Sequence, residues 1–371
     1  MSAWGPARVG IRCDARPATG VGHLIRCVAL AEEFRARNVE VTFLGDMSED
    51  LPWARMQLSS RSLPLLPAPE TPGELVALAR RLGLDAVVAD SYELPPDHTA
   101  ACRAAGLVVV SIVDGDLRGQ VADIYIDQNL DAELLKPALP DGAVRLAGLR
   151  YALLRDSVRR RRPSSPGRPG RSRSGAVPRV LLFFGGTDAF EAAPVLTRLL
   201  IATGAPFDAT VVAARPHLRA ALAALKTGPG QELRVIGPTD DLPDLIARTD
   251  VVVSASGTST WELLCLGASA ALIWVVDNQQ LGFDRVVARG LAVGLGRLED
   301  IAAGGAPADE ALGALRALLV EPDRRERLAG QAWSAVDAKG RERVVDEVLR
   351  RVAVQLDGRR APPSGLPSPA R

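Results

Sequence analysis

One histidine near the start of the chain has a sequence context suited to catalysis. His23 follows Gly20 and Gly22 in a loop between a short apolar strand and an amphipathic helix, within residues 8–46. Glycine lets the backbone pass close to a ligand, and the N–H groups of a first helical turn lack helical acceptors. The sequence therefore predicts that His23 lies at or near that turn, where its imidazole can act on a substrate.

A second loop predicts an anion-binding site. Residues 254–262, SASGTSTWE, directly follow the strand-like run DVVVS. Small and hydroxyl residues at a helix start offer N–H and O–H donors to a phosphate or pyrophosphate, and Glu262 could accept from the two hydroxyls of a ribose. The same segment is equally consistent with ordinary helix capping, with Glu262 as a first-turn carboxylate favoured by the helix dipole.

Polar residues follow several other strand-like runs. They are Gly185, Gly186, Thr187 and Asp188 in FFGGTDAF, Asp277, Asn278 and Gln279 in WVVDNQQ, Asp90, Ser91 and Tyr92 in VVADSYE, and Asp114 and Asp116 in SIVDGD. Open parallel sheets bind ligands at the carboxyl ends of their strands. Simpler explanations remain open, since Asp188 can be a helix cap, residues 277–279 a turn, and Tyr92 a packed side chain with a wet tip. His98 and His217 are interpreted as surface or capping residues.

Composition restricts the classes of partner. The 371 residues are 47% hydrophobic and 24% charged, which is typical of a globular protein of two domains. With 45 Lys and Arg against 44 Asp and Glu, the net charge is +1. No global field attracts nucleic acid or an anionic membrane, so we expect neither as a partner.

The cysteines and apolar segments indicate the compartment. Cys13, Cys27, Cys102 and Cys265 lack CxxC spacing and lie in or beside apolar stretches, as buried thiols do. We expect no disulfide, no metal site and a cytoplasmic location. No signal peptide is predicted, and the apolar stretch at 263–276 is short for a membrane span, so we expect no membrane insertion.

Apolar β-branched runs alternate with helix-period segments along most of the chain. Helices are predicted over 24–37, 71–82, 95–105, 191–203, 216–225, 242–247 and 258–266. This alternation predicts an α/β fold of two Rossmann-like domains, with parallel sheets facing a central cleft. The predicted division is an N-terminal domain at 1–157, an Arg/Pro/Ser/Gly-rich linker or disordered loop at 158–178, a nucleotide-binding domain at 179–356 and a disordered tail at 357–371.

Several ordered motifs together resemble one enzyme family. They are TGVGHLIRCVALAEEF, VVADSYEL, YIDQNLDAE, LRYALLR, FFGGTD and SASGTSTWELLCLGASAALIWVVDNQ, spread over most of residues 8–300. The chain resembles the UDP-2,4-diacetamido-2,4,6-trideoxy-β-L-altropyranose hydrolases of pseudaminic acid biosynthesis, which are grouped with SpsG-type spore coat polysaccharide proteins. That family is similar to MurG-like GT-B glycosyltransferases. The resemblance implies a GT-B-like fold, a UDP-sugar substrate held mainly by the second domain, and no metal or other cofactor.

The resemblance also implies roles for individual residues. His23 positions or activates the attacking water, and Tyr92 and Asn278 bind or polarise the sugar and water. The implied substrate-binding residues are Gly20, Gly22, Arg26, Asp14, Gly186, Ile236, Ser256, Gly257, Thr258, Thr260, Glu262, Asp277 and Gln279. The Arg-rich insertion at 158–173 and the continuation DNQQLGFDRV depart from the family pattern, and these departures bear on the identity of the sugar.

The implied reaction is attack of water at the anomeric carbon with UDP as the leaving group. Histidine side chains titrate near pH 6.5, so His23 can accept a proton from water at neutral pH. A GT-B glycosyltransferase would use the same UDP site and the same histidine against an acceptor hydroxyl, with the 158–173 segment serving a membrane-associated acceptor. A nucleotide-sugar binding or scaffold protein without turnover is the third interpretation. A monomer is expected in each case.

Overall fold

The computed structural model describes residues 6–16, 21–166 and 176–358. Two parallel sheets organise this part of the chain. The strands and helices of the first domain are β1 (Arg8–Cys13), α1 (Gly22–Ala36), β2 (Glu40–Leu44), α2 (Pro52–Ser59), β3 (Leu65–Leu66), α3 (Pro72–Leu82), β4 (Ala86–Asp90), α4 (Pro96–Ala104), β5 (Val108–Ile112), β6 (Ile124–Asp127) and β7 (Val144–Ala147). The short helix α5 (Asp156–Arg159) leads to the second domain.

The second domain repeats the alternation of strand and helix and then becomes helical. Its elements are β8 (Arg179–Phe183), α6 (Ala192–Ala202), β9 (Phe207–Val212), α7 (Pro216–Ala223), β10 (Gln231–Ile236), α8 (Leu242–Arg248), β11 (Val251–Ala255), α9 (Ser259–Cys265), β12 (Ala270–Trp274), α10 (Asp277–Ala288), β13 (Val293–Arg297), α11 (Leu298–Ala303), α12 (Ala306–Val320), α13 (Pro322–Ala335) and α14 (Gly340–Gly358).

Strand order places a crevice in each sheet. The first sheet runs β3-β2-β1-β4-β5-β6-β7 and the second β10-β9-β8-β11-β12-β13, with every ladder parallel. The direction of winding reverses between β1 and β4 and again between β8 and β11, which is where such sheets bind ligands. At the carboxyl end of the first crevice Cys13 is in register with Asp90. The α/β fold with two parallel sheets is therefore confirmed.

The sequence explains why these strands are central. All five residues of β4, AVVAD, and of β5, VVVSI, are buried, because helices cover both faces of the sheet. The seven predicted helices form within about two residues of their predicted ends. Strands β6 and β7 were not predicted, since each has only four residues and neither shows a long apolar run. The four cysteines are free and buried, as predicted.

The Arg-rich segment is packed where the structure describes it. Val158 is buried, and Arg162 stacks on Trp333, with its guanidinium carbon 4.4 Å from the ring centroid. Arg162 also donates to the carbonyl oxygens of Cys265 and Trp333. Residues 158–166 therefore form an ordered connection between the sheets, which fits the predicted linker and not its alternative, a disordered loop. Residues 167–175, and residues 359–371 of the predicted tail, lie outside the described residues.

Helix α14 returns to the first domain. Its residues Val344, Val345, Val348 and Val352 are buried in the same apolar cluster as β1 and α1. The sequence-based division placed α14 within the second domain, but its packing joins it to the first. The return requires a close approach at Gly340, where a β-carbon would lie 2.4 Å from the carbonyl oxygen of Ala152.

This contact predicts an effect on stability. Gly340→Ala forces a backbone shift, so we expect the free energy of unfolding to fall by about 1–3 kcal/mol. Gly313→Ala is the matched control, because Gly313 is helical and a β-carbon there meets nothing within 4 Å. That control is expected to be neutral or to raise stability by up to about 1 kcal/mol. Urea unfolding of both variants tests this, and equal stabilities would contradict the close contact.

Candidate active site

His23 lies in the first turn of α1, as predicted, and is 7% exposed. Its Nδ1 lies 2.6 Å from Oδ1 of Asp90, the last residue of β4. The ionised carboxylate of Asp90 can only accept, so the assigned tautomer has Nδ1 donating to it and the lone pair on Nε2, although Nη2 of Arg26 also lies 3.1 Å from Nδ1. No described residue bonds Nε2, and this atom is not among the buried unpartnered ones. His23 is thus oriented as a base with its Nε2 accessible.

Arg26 joins two carboxylates one turn further along α1. Its Nε and Nη2 donate to Asp90 at 2.6 and 2.7 Å, and its Nη1 and Nη2 donate to Asp114 at 2.9 and 3.1 Å. Arg26 and Asp90 are buried. These four hydrogen bonds use most of the five guanidinium N–H groups. Arg26 therefore holds the two carboxylates in place and has few donors left for a ligand. Its predicted direct contact with substrate remains a prediction.

Tyr92 closes the cluster on the exposed side. Its hydroxyl donates to Oδ2 of Asp114 at 2.5 Å, and its ring meets that of His23 edge-on, with centroids 4.5 Å apart. Asn129 donates to the other oxygen of Asp114 at 2.9 Å. Because Tyr92 remains 45% exposed, one wall of this cluster is open to a ligand.

The charges of the cluster are fixed by these contacts. Burial alone would raise the pKa of Asp90, but Arg26 and His23 lower it to about 2. Burial is likewise outweighed at Asp114, whose pKa is held well below its usual range by Arg26 and by hydrogen bonds from Tyr92 and Asn129. Burial and the Asp114 carboxylate raise the pKa of Tyr92. At neutral pH both carboxylates are therefore ionised and the phenol stays protonated.

Loops of the second domain meet the loop of His23. A β-carbon on Gly22 would lie 3.0 Å from Oγ1 of Thr258, and one on Gly186 would lie 3.0 Å from a methyl of Val21. The loops that follow β8 and β11 therefore contact the start of α1 directly. The predicted central cleft lies where these three loops meet. Gly20 lies outside the described residues.

Several predicted substrate-binding residues make hydrogen bonds that fix the loop after β11 and the segments beside it. The hydroxyl of Thr260 is buried and accepts from the N–H of Gly257 at 3.2 Å. Ser256 is buried, and its N–H donates to the carbonyl of Ile273. Gln279 accepts from the N–H of Val275 at 3.0 Å, and its amide nitrogen would lie 4.0 Å from a β-carbon on Gly257. This loop is thus fixed by its own contacts beside Thr258.

Other predicted site residues make no hydrogen bond or ion pair with the His23 cluster in the described structure. The carboxylate of Glu262 is buried and accepts from Arg155 at 3.0 and 3.3 Å, and that of Asp14 accepts from Arg12 at 2.6 Å. Asp277 and Asn278 are exposed at the start of α10, and Ile236 ends β10. Their predicted roles therefore depend on a ligand that spans the cleft.

The structure also tests the structural interpretations of Asp188, His98 and His217. The carboxylate of Asp188 accepts from the N–H groups of Ala192 and Ala193, so Asp188 acts as a helix-capping residue. His217 is exposed, as predicted, but His98 is buried and contacts the carbonyl oxygen of Glu70. The surface interpretation of His98 is therefore wrong, because α4 turns this face of the helix inward.

Asp90, Asp114 and Asn129 are the residues whose importance sequence reasoning missed. Each lies at or just after the carboxyl end of one of three neighbouring strands, β4, β5 and β6. The strand-end pattern had singled out Asp90 and Asp114, but not as partners of His23 and Arg26. Knowing the order of the strands would have placed these three side chains together.

Comparisons with known structures define the class of fold. MurG of Acinetobacter baumannii superposes with a TM-score of 0.71 at 16% identity, over 93% of this chain and 100% of that one. The UDP-GlcNAc 2-epimerase of Neisseria meningitidis, solved with UDP-GlcNAc bound, gives a TM-score of 0.61 at 13% identity, over 92% of this chain and 100% of that one. The spinosyn rhamnosyltransferase SpnG gives 0.59 at 13% identity, over 91% of this chain and 100% of that one. This protein has the MurG-like GT-B fold.

Two comparisons of the sequence found no match. No family model matches the chain, and no curated protein matches it. In the described ranges no helix has the length and apolar character needed to cross a membrane. The same ranges contain no group of three or more His, Cys, Asp or Glu side chains placed to hold a metal ion.

Proposed function

We propose that this protein is a metal-independent hydrolase of UDP-sugars. It would release UDP and a free acetamido-deoxy sugar by attack of water at the anomeric carbon, in nonulosonic acid or surface polysaccharide biosynthesis. The observation that carries the proposal is the His23–Asp90 pair, which leaves Nε2 accessible and in which His23 follows Gly22, the residue that meets Thr258 of the second domain. A base held in one orientation within a cleft is what activation of water requires.

The nucleotide is assigned from the fold and the second-domain loops. The epimerase with the same fold is described with UDP-GlcNAc bound, which supports a UDP-sugar as ligand. Thr258 directly precedes α9 and lies against the loop of His23. A diphosphate held by Gly257 and Thr258 would thus place the anomeric carbon near Nε2. Hydroxyl and N–H donors there would stabilise the charge that grows on the β-phosphate.

The first domain would hold the sugar and the water. His23 takes a proton from water as the bond to UDP breaks, and Asp90 stabilises the imidazolium that forms. Tyr92 is exposed beside His23 and contributes a wall for the sugar. Asn278, exposed at the start of α10, is proposed to approach the sugar from the second domain. A cytoplasmic monomer that binds neither nucleic acid nor membrane remains part of this proposal.

A glycosyltransferase that uses a UDP-amino sugar donor is the second candidate. The superposition with MurG and with SpnG, both glycosyltransferases, favours it. In that reaction Nε2 of His23 would take its proton from an acceptor hydroxyl. The two candidates share the UDP site and differ only in the nucleophile.

The deciding experiment follows a UDP-2,4-diacetamido-2,4,6-trideoxyhexose by NMR with purified protein and no acceptor. We expect release of UDP and free sugar at a catalytic rate. A substrate that stays intact, yet is consumed once a sugar or lipid acceptor is added, would establish a transferase. Protein inactivated by His23→Ala is the control for spontaneous hydrolysis.

A further inference from the structure

Arg118 is a cation beside the candidate active site that the mechanism above does not use. It lies in the loop between β5 and β6, with its guanidinium carbon 4.5 Å from the centroid of the Tyr92 ring. Tyr92 in turn contacts the ring of His23. Arg118 is therefore separated from the proposed base by a single side chain.

The donors of Arg118 are poorly satisfied. Its Nη2 makes one long hydrogen bond, 3.4 Å to the carbonyl oxygen of Ile112, and its Nε is buried without a partner. No described residue accepts from Nη1, which is not among the buried unpartnered atoms and so remains accessible. Buried donors normally find acceptors. The guanidinium thus has N–H groups available to a ligand.

Two of the three other stacked arginines in the described structure differ in this respect. Arg162 lies over Trp333 but donates to two carbonyl oxygens. Arg297 lies over Trp274 and is paired with Glu299 at 3.1 Å. Stacking on an aromatic ring therefore does not by itself leave an arginine without acceptors. The third, Arg150 over Tyr151, is exposed and has no acceptor among the described residues, whereas Arg118 is half-buried beside the proposed base.

The backbone holds Arg118 in this place. Its φ is +51°, a region that residues with a β-carbon seldom adopt and that is often found at functional sites. The N–H of Arg118 donates to Oδ1 of Asp116 at 2.9 Å, which stabilises this turn. The backbone that carries the Arg118 side chain toward Tyr92 is therefore held by the turn itself.

The surrounding charges select the kind of acceptor. Asp90 and Asp114 are ionised, and Arg26 and Arg118 supply two compensating positive charges. A neutral carbonyl oxygen on the sugar leaves these charges balanced, whereas an anionic group would add an uncompensated negative charge beside the two carboxylates. We infer that Arg118 is a specificity residue that binds the carbonyl oxygen of an acetamido group on the sugar, an inference that rests on the proposed UDP-sugar substrate.

The test compares two substrates. One is a UDP-2,4-diacetamido-2,4,6-trideoxyhexose, and the other is the same molecule with hydroxyl groups in place of both acetamido groups. For Arg118→Ala we expect kcat/KM to fall about 10- to 100-fold with the first and less than about threefold with the second. Arg118→Lys, which keeps the charge but not the planar fork, should recover part of the loss.

Controls separate the possible outcomes. Arg150→Ala removes another stacked arginine, which lies over Tyr151 and away from His23. This variant should leave kcat/KM unchanged with both substrates. An equal loss on both substrates would show that Arg118 only supports Tyr92, and an unchanged kcat/KM would show no role; either overturns the inference.

Binding measurements distinguish failure of this inference from failure of the proposed function. If the wild type hydrolyses neither compound, calorimetric Kd values for both compounds show whether Arg118 still contributes to binding. A preference for the acetamido compound that is lost in Arg118→Ala would support the contact without hydrolysis. A wild type that binds neither compound would overturn both proposals.

Discussion

His23→Ala is expected to lower kcat by about 10²- to 10⁴-fold while leaving the affinity for UDP unchanged. The reason is that Asp90 binds Nδ1 and so orients the imidazole, while Nε2 has no partner among the described residues. UDP is proposed to bind the second domain, so loss of the imidazole removes the base and not the nucleotide site. Steady-state kinetics and calorimetry with UDP measure the two quantities separately.

A matched variant controls for loss of a histidine as such. His217 lies on α7, is exposed and pairs with Glu191 at 3.1 Å, remote from the cluster. His217→Ala should retain full turnover. Turnover of His23→Ala at the wild-type rate would remove His23 from the chemistry, and with it the main support for the hydrolase.

Arg26→Leu is expected to lower the free energy of unfolding by about 3–5 kcal/mol. The substitution leaves the carboxylates of Asp90 and Asp114 in the protein interior without their guanidinium partner. The loss is a penalty for unpaired buried charge, so it exceeds the net contribution of the ion pairs themselves. Urea denaturation at neutral pH measures it.

An exposed ion pair supplies the control. Arg8 pairs with Glu40 at 3.0 Å with both side chains about half exposed, so Arg8→Leu should cost no more than about 1 kcal/mol. If Arg26→Leu cost as little, the cluster would be more hydrated than its geometry indicates.

The difference in free energy of unfolding between wild type and Arg26→Leu should also depend on pH. Because Arg26 and His23 lower the pKa of Asp90 to about 2, the stability that Asp90 contributes is present above its ordinary pKa of 3.8 and is lost as pH falls towards 2. In the variant, burial without Arg26 raises the pKa of both carboxylates, so protonation relieves them at higher pH than in the wild type. The gap between wild type and Arg26→Leu should therefore begin to narrow above about pH 4 and continue to narrow down to about pH 2.

The sequence predicted the parts of the structure that depend on local pattern. Buried β-branched runs such as VVVSI identify strands covered on both faces, and the glycine loop before a helical period placed His23 in the first turn of α1. Polar residues at strand ends indicated where a site would form. Each of these inferences needs only neighbours along the chain.

Only the tertiary structure decided which of these side chains meet. Asp90 reaches His23 across 67 residues because β1 and β4 are adjacent in the sheet, and Arg26 is occupied by two carboxylates from neighbouring strands. Glu262 is bound by Arg155 for a similar reason. Periodicity and turn chemistry are encoded locally, but ion pairs depend on strand order and on the meeting of two domains, which no short window of sequence specifies.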